Sequence, residues 1–383
     1  MLHRIPALIL TFLLLLPAPL VRAQTAPAAP VLAADAWILT DYATGQVLAE
    51  GNPDKRVEPA SLTKVMTAYL TYSALHQGRI KPGQQVTISE RAWRTQGSRT
   101  FLQVGSQATV DDLLKGMIIQ SGNDASVALA ETIGGSEDAF AQMMTRQAQA
   151  LGMNNTRFLN ASGYFDGPEP GHYSTARDLA RLAAALIRDF PESHALHAAR
   201  EYTFHGIRQF NRNRLLWLDP SADGLKTGHS QAAGYCLIGT ARRDGRRLIS
   251  VVLGAASDDA RTQESLRLLN YGFLNFDPIR LYTRDQVVSR LKVFKGAEGR
   301  VRAGFTQDFV ISLPRGVDMS RLRVQLSSRQ PLLAPVHKGD AVGTLRVLLD
   351  DRAYGEYPVV ALEDVDVAGI IGRAWDSLRL WFE

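Results

Sequence analysis

Hydrophobic positions along the chain fall into three textures. An apolar run from Ala7 to Leu16 comes first, then Val21-Arg22-Ala23 and a small Ala/Pro-rich leader from Gln24 to Pro30. Residues 31–276 mix helical spacing with strand-like runs, and from Asp277-Pro278 onward the runs are short and strand-like. In the middle texture, Ala36 to Leu48 is apolar on either side of a turn carrying Gly45, which predicts a hairpin. Pro59 and Ala60 precede a Gly- and Pro-free stretch, so a helix is predicted from Ser61 to Leu75, with proline near its first turn. Helical spacing recurs over Val110–Ile119, Ala125–Ile133, Glu137–Leu151, Thr175–Arg188 and Arg261–Phe273. Gly234–Ala241 and Arg247–Gly254 flank Asp244-Gly245, an antiparallel hairpin with its turn signal. Val86–Leu102, with Ser98-Arg99-Thr100, is polar and irregular and reads as a loop bordering a site, and Asn160–Tyr173 is a Gly/Pro-rich loop.

The last texture predicts a small all-β domain from Val287–Phe294, Arg300–Ala303, Phe309–Leu313, Leu322–Leu326, Val342–Leu349 and Glu356–Ala361, separated by turns such as Lys338-Gly339-Asp340. On a helical wheel the tail places Ile371, Ala374, Trp375, Leu378 and Phe382 on one face and Arg373, Asp376 and Arg379 opposite. That pattern suggests a helix lying in a membrane interface, the alternative being one packed on the β domain. The expected division is residues 1–23 as a secretory signal peptide cleaved after Ala23, 24–30 as a leader, 31–276 and 277–364 as two domains, and 365–383 as the tail helix. The apolar run is too short to span a bilayer comfortably.

Composition narrows the function classes. Without residues 1–23 the chain loses Arg4 and Arg22 and no acid, so its formal charge falls from +5 to +3, too little for a nucleic-acid partner. A single cysteine, Cys236, in a strand-like apolar run, excludes an intrachain disulfide and a cysteine-based zinc site. His194, His197 and His205 match no metal-ligand spacing and read as exposed helix and loop residues.

Three short motifs carry the chemistry. Ser61-Leu62-Thr63-Lys64 puts a hydroxyl at a helix N-terminus and an amine one turn along the same face. Such a lysine acts as a base only when burial and cationic neighbours keep it neutral. Alone, the pattern is equally an ordinary helix start, and Ser289-Arg290-Leu291-Lys292 repeats it inside a strand-like run, where the two side chains point to opposite faces. Ser121-Gly122-Asn123-Asp124 sits between two predicted helices and fits either a helix cap or a pair of side chains projecting into a cleft. Lys226-Thr227-Gly228 leads into the second hairpin, at the edge of a cleft or as a solvated lysine before a turn.

The order Ser-x-x-Lys, Ser-x-Asn, Lys-Thr-Gly resembles that of the penicillin-recognising serine enzymes. The flanks Glu58-Pro59-Ala60-Ser61, Asn123-Asp124-Ala125 and Asp223-Gly224-Leu225-Lys226-Thr227-Gly228-His229 resemble those of low-molecular-mass penicillin-binding proteins that are serine D-alanyl-D-alanine carboxypeptidases, over essentially the whole mature chain. The resemblance implies an α+β fold, with a β-lactamase/transpeptidase-like domain of antiparallel sheet flanked by helices plus a helical subdomain, followed by a small all-β domain. It implies Ser61 as nucleophile, Lys64 as base, Ser121 as proton relay, and Asn123, Lys226, Thr227, Gly228 and His229 as the substrate edge. Backbone N–H groups of Ser61 and His229 would form the oxyanion hole. Arg261 would meet the terminal carboxylate, or else be a surface arginine at a helix start. Peptidoglycan stem peptides would be the substrate and β-lactams covalent inhibitors at Ser61, with no metal or cofactor, in the periplasm, peripheral on the inner membrane through the C-terminal helix. The Glu-x-x-Leu-Asn of the commonest β-lactamases is missing, where Glu169-Pro170-Gly171-His172-Tyr173 stands instead. A D,D-endopeptidase, a weak β-lactamase and a non-catalytic peptidoglycan-binding scaffold are the alternatives.

Overall fold

The computed structural model describes residues 28–369 and Asp376. The signal peptide and residues 370–375 and 377–383 of the expected tail helix lie outside these residues, while Val365 and Val367, at its expected start, form isolated β-bridges with Val336 and Gly296. Strands β1 (Ala36–Asp41) and β2 (Val47–Gly51) form the first hairpin, and a 3-10 turn over Ala60–Thr63 runs into α1 (Lys64–His76). Two three-residue strands, β3 (Gln85–Thr87) and β4 (Gln107–Thr109), bracket α2 (Glu90–Arg94). A helical region follows, with α3 (Val110–Ile119), α4 (Asn123–Gly134), α5 (Glu137–Ala150), α6 (Ala176–Asp189) and α7 (Pro191–His194). The hairpin β5 (Glu201–Phe204) and β6 (Ile207–Phe210) and the short α8 (Leu215–Leu218) lead to β7 (Ala222–Ser230), β8 (Gly234–Arg243), β9 (Arg246–Ala255) and α9 (Asp258–Asn275).

The main sheet is antiparallel in the order β2-β1-β9-β8-β7, so β7 is an edge strand. Side chains alternate across it. Ile249, Val251 and Leu253 of β9 join a core with α1, α3, α4, α5 and α6, while Leu248 and Val252 face Leu268 and Leu269 of α9. Ten residues of α1 are buried, on every face, which makes it a central helix with no amphipathic stripe. Helix α9 starts three residues before the position expected, because Ser257 caps it by accepting from Ala260 N–H at 3.0 Å and Asp258 and Asp259 occupy its first turn.

The C-terminal domain is all β. Strand β10 (Phe276–Tyr282) pairs with β13 (Phe309–Pro314), while β11 (Val287–Phe294), β12 (Arg300–Gly304), β14 (Leu322–Ser328), β15 (Leu332–Leu333), β16 (Ala341–Leu349) and β17 (Arg352–Ala361) form a second sheet, ordered β14-β16-β17-β12-β11-β15. Its core is separate and apolar, with Val301, Ile311, Leu313, Val347 and Val359 fully buried. Ser289 and Lys292 lie in β11, as the strand reading required. The β10 run Phe276-Asp277-Pro278-Ile279 carries no clear alternation, and the sequence reading passed over it.

A buried polar joint ties the two domains. Arg246 of β9 donates to Asp41 Oδ2 at 2.8 Å, to the Phe276 carbonyl at 2.5 Å and to Ser312 Oγ at 2.9 Å. Ser312 Oγ donates in turn to Asp41 Oδ2 at 2.8 Å, and the Ser312 carbonyl accepts from Gln46 Nε2 at 3.0 Å and from the Tyr354 hydroxyl at 2.5 Å.

Candidate active site

Ser61 stands in the 3-10 turn and Lys64 is the first residue of α1. The lysine is 1 % exposed. Its Nζ lies 2.9 Å from Ser61 Oγ, 2.7 Å from Asn123 Oδ1 and 2.7 Å from the Ser162 carbonyl. The orientation of Asn123 is settled by its other end, since Nδ2 donates to the Gln96 carbonyl at 2.6 Å and Oδ1 is left as a pure acceptor. Two of the three neighbours of Lys64 therefore accept only. A neutral amine gives its two N–H bonds to those carbonyl oxygens and keeps its lone pair for the Ser61 hydroxyl.

Between α3 and α4, Ser121 has a backbone φ of +67°, and before Ser61 lies Ala60 with φ +46°. A left-handed backbone costs a residue with a side chain on the order of 1–3 kcal/mol, and it clusters where geometry is functional. The N-cap of α4 is Gly122 and no side chain caps it, so neither Ser121 nor Asn123 is spent as a cap. Asp124, fully buried, instead takes backbone N–H bonds from Thr100 and Leu102 and pins the preceding loop. That loop supplies Gly97 and Ser98 to the cleft, as expected of residues 86–102, although Glu90–Arg94 within it is helical. Gly97 has φ +84°, and a Cβ there would lie 2.6 Å from Asn123 Nδ2.

Strand β7 forms the opposite wall. Lys226 Nζ donates to Ser121 Oγ at 3.0 Å and to the Thr227 carbonyl at 2.9 Å. Lys226 and Thr227 are buried while His229 is exposed, its ring stacked on Tyr235 at 4.0 Å. Gly228 lets β7 pass the 3-10 turn closely, since a Cβ there would meet the Pro59 carbonyl at 3.1 Å and Leu62 Cγ at 3.2 Å. The walls enclose a cavity of about 710 Å³ with Ser61, Ser121, Asn123, Thr227 and Arg212 on its lining.

Electrostatics follow from burial. Burial first, and then Arg212, lower Lys64 from its usual value near 10.5 to about 7, against the opposing pull of Asp124 and Glu137. Burial also pushes Lys226 well down, helped by Lys64, Arg212 and Arg261. The cation that adds to burial in lowering Lys64 is Arg212. Nothing in Phe210-Asn211-Arg212-Asn213 marks it as special, and only the folding of the β6–α8 segment against the cleft brings it there.

Arg261 lines the cleft and also holds β7. It is 5 % exposed, its Nη1 donates to the Gly228 carbonyl at 2.8 Å and its Nη2 pairs with Asp258. Arg212, by contrast, is exposed to the cavity and has no hydrogen-bond partner among the described residues. His194 and His197 depart from expectation. Both are buried, at 5 % and 1 % exposure, and stack on one another behind β7, while His205 is exposed as expected. Another residue not singled out as a site residue is His172, whose Nδ1 accepts from Leu159 N–H at 3.0 Å, so that its Nε2–H donates to Thr63 Oγ1 at 2.8 Å.

Comparison with known proteins places the chain in a family. The D-alanyl-D-alanine carboxypeptidase family profile matches residues 23–257, and that of the penicillin-binding protein 5 C-terminal domain matches residues 276–367. D-alanyl-D-alanine carboxypeptidase DacC of Escherichia coli K12 is 42% identical over 379 residues, 97% of this chain and 94% of that protein. The crystal structure of penicillin binding protein 5 from Haemophilus influenzae is 38% identical with a TM-score of 0.81, covering 89% of this chain and 99% of that one. Penicillin-Binding Protein D2 from Listeria monocytogenes, in its ampicillin-bound form, is 33% identical with a TM-score of 0.59, covering 64% of this chain and 100% of that one. With both profiles matched and relatives aligned over nearly its full length, the chain belongs to the D-alanyl-D-alanine carboxypeptidase family.

Proposed function

We propose that this chain removes the terminal D-alanine from peptidoglycan stem peptides through an acyl-enzyme at Ser61. The observation that carries this reading is the seating of Lys64: a buried amine lowered to about 7, 2.9 Å from Ser61 Oγ, with two carbonyl acceptors taking its N–H bonds. Lys64 takes the Ser61 proton as Oγ attacks the carbonyl carbon between the two D-alanines. Backbone N–H groups of Ser61 and His229 receive the oxyanion, a contribution of roughly 3 kcal/mol per donor. Ser121, held 3.0 Å from Lys226 Nζ, passes a proton to the leaving amine, D-alanine departs, and water then hydrolyses the ester. Asn123 orients Lys64 and the substrate amide, while Thr227 and the free guanidinium of Arg212 meet the terminal carboxylate.

β-Lactams acylate the same hydroxyl, a reading supported by the ampicillin-bound form of the Listeria relative. Residues 31–276 form the catalytic domain and 277–364 the β domain. The chain acts in the periplasm after loss of residues 1–23, held on the inner membrane by its tail. Mass spectrometry of muropeptides incubated with the mature protein and with Ser61→Ala tests the reaction. Loss of one D-alanine from pentapeptides by the parent alone is the expected result. Cleavage of cross-linked muropeptides instead would replace carboxypeptidase with endopeptidase, and unchanged substrates would leave a scaffold.

A further inference from the structure

Strand β7 lies at the edge of its sheet, so its outer backbone groups need partners other than a strand. Side chains supply them just before Lys226. Asn213 Nδ2 donates to the Gly224 carbonyl at 2.9 Å. His197 Nδ1 lies 3.0 Å from the Leu225 carbonyl oxygen. A carbonyl accepts only, so Nδ1 carries the ring proton, and Nε2 is left to accept from the Tyr72 hydroxyl at 3.2 Å. This fixes the imidazole at both ends, between α1 and β7. His194 stacks on it with ring centroids 5.9 Å apart, and Gly224 fits against both residues, since a Cβ there would stand 3.3 Å from His197 Cβ and 3.4 Å from His194 Nε2. His194 Nε2 is buried and has no hydrogen-bond partner, with Asp223 Oδ1 4.0 Å away.

The Leu225 carbonyl belongs to the peptide plane that carries the Cα of Lys226, and that plane is rigid. We infer that His197 is a positioning residue: through the Leu225 carbonyl it sets the height of Lys226 in the cleft, and hence the 3.0 Å contact between Lys226 Nζ and Ser121 Oγ. Tyr72 locks the ring from α1, the helix that also carries Lys64, so one hydrogen-bonded chain spans both lysine-bearing walls. The inference rests on the proposed acylation of Ser61.

The test compares second-order rates of acylation by a fluorescent penicillin for the parent, His197→Asn, His197→Gln and His197→Leu, with thermal unfolding of each. The Asn side-chain amide stands where Nδ1 does and keeps a donor for Leu225, whereas the Gln amide falls where Nε2 does and keeps only the Tyr72 end. Displacement of a catalytic group by an ångström costs on the order of a hundredfold, so a fall of roughly ten- to a hundredfold is expected for His197→Leu and His197→Gln, with His197→Asn near the parent. Rates that follow the unfolding temperatures, equal losses for Asn and Leu, or an unchanged rate in His197→Leu would each overturn the positioning role. A parent protein that forms no adduct would overturn the Ser61 reading and this one with it.

Discussion

Two buried clusters of charge in this molecule are built on opposite terms. At the joint between the domains, Arg246 and Asp41 face one another at 2.8 Å with side chains 9% and 1% exposed, and Ser312, the Phe276 carbonyl and two backbone N–H groups take up their remaining capacity. Charge there is matched by charge. In the cleft, Lys64 and Lys226 are as deeply buried, yet their hydrogen-bond partners are hydroxyls, an amide oxygen and carbonyls, with no carboxylate among them. An ammonium so placed gives up its proton cheaply, which is what a base requires. The comparison teaches that partners decide what burial does: a matched pair ties two domains together, and an amine without a counter-charge becomes a base.

The sharpest way to break the comparison is to remove each cluster's key group. Lys64→Met should lower the rate of penicillin acylation by about 10³-fold, within the range typical of a lost general base, while changing thermal stability little, since the loss of a donor for Asn123 Oδ1 and the Ser162 carbonyl is offset by removal of a buried amine without a counter-charge. A drop in stability with acylation intact would reverse the assignment of the two clusters. Asp41→Ala should do the converse. Arg246 would be left buried and uncompensated, at a cost of about 3–5 kcal/mol in denaturant unfolding, with the folded fraction still acylated at the parental rate.

A smaller effect concerns pH. Because Lys64 is lowered to about 7, it is neutral above that value and protonated below, so acylation should rise with pH through 7. The same shift means that between about 7 and 10.5 the unfolded chain binds more protons at this residue than the folded one, so this residue's contribution to stability rises with pH over that window. Arg212→Gln removes a neighbouring cation that helps lower Lys64, and the acid limb should move to higher pH while substrate KM rises. A limb that stays in place would show that burial alone sets the lysine. Smallest of all, Ser289→Ala with Lys292→Ala should change neither adduct formation nor D-alanine release, for these residues repeat the motif on β11 and not at a helix start.

The three motifs were legible because each is contiguous and its residue types carry the chemistry. Helices α3 to α6 and the β8–β9 hairpin were legible from their periods and from Asp244-Gly245. What escaped came from long-range closure. Ser162 reaches Lys64 only through its carbonyl, which no side chain advertises, and Arg212 sits in an unremarkable polar run. His194 and His197 read as surface residues because α7 and the turn after it are too short to show a buried face, yet they pack under β7. The joint links Asp41 to Ser312 across 271 positions, beyond any local pattern. Arg261 was placed at the cleft from its motif position, and its bonds to the Gly228 carbonyl and Asp258, which tie it to β7, are visible only in the fold.

Helix α1 is enclosed on all sides, and this ties the lifetime of the site to that of the whole domain. From Lys64 to Tyr72 the helix is buried, and the amide hydrogens there should exchange only when the domain opens globally. Ser61 and Lys64 sit where that helix begins, so the site keeps its shape for as long as the helix is held. On heating, loss of acylation should therefore coincide with the cooperative transition instead of preceding it, so the clock of inactivation and the clock of unfolding keep the same time.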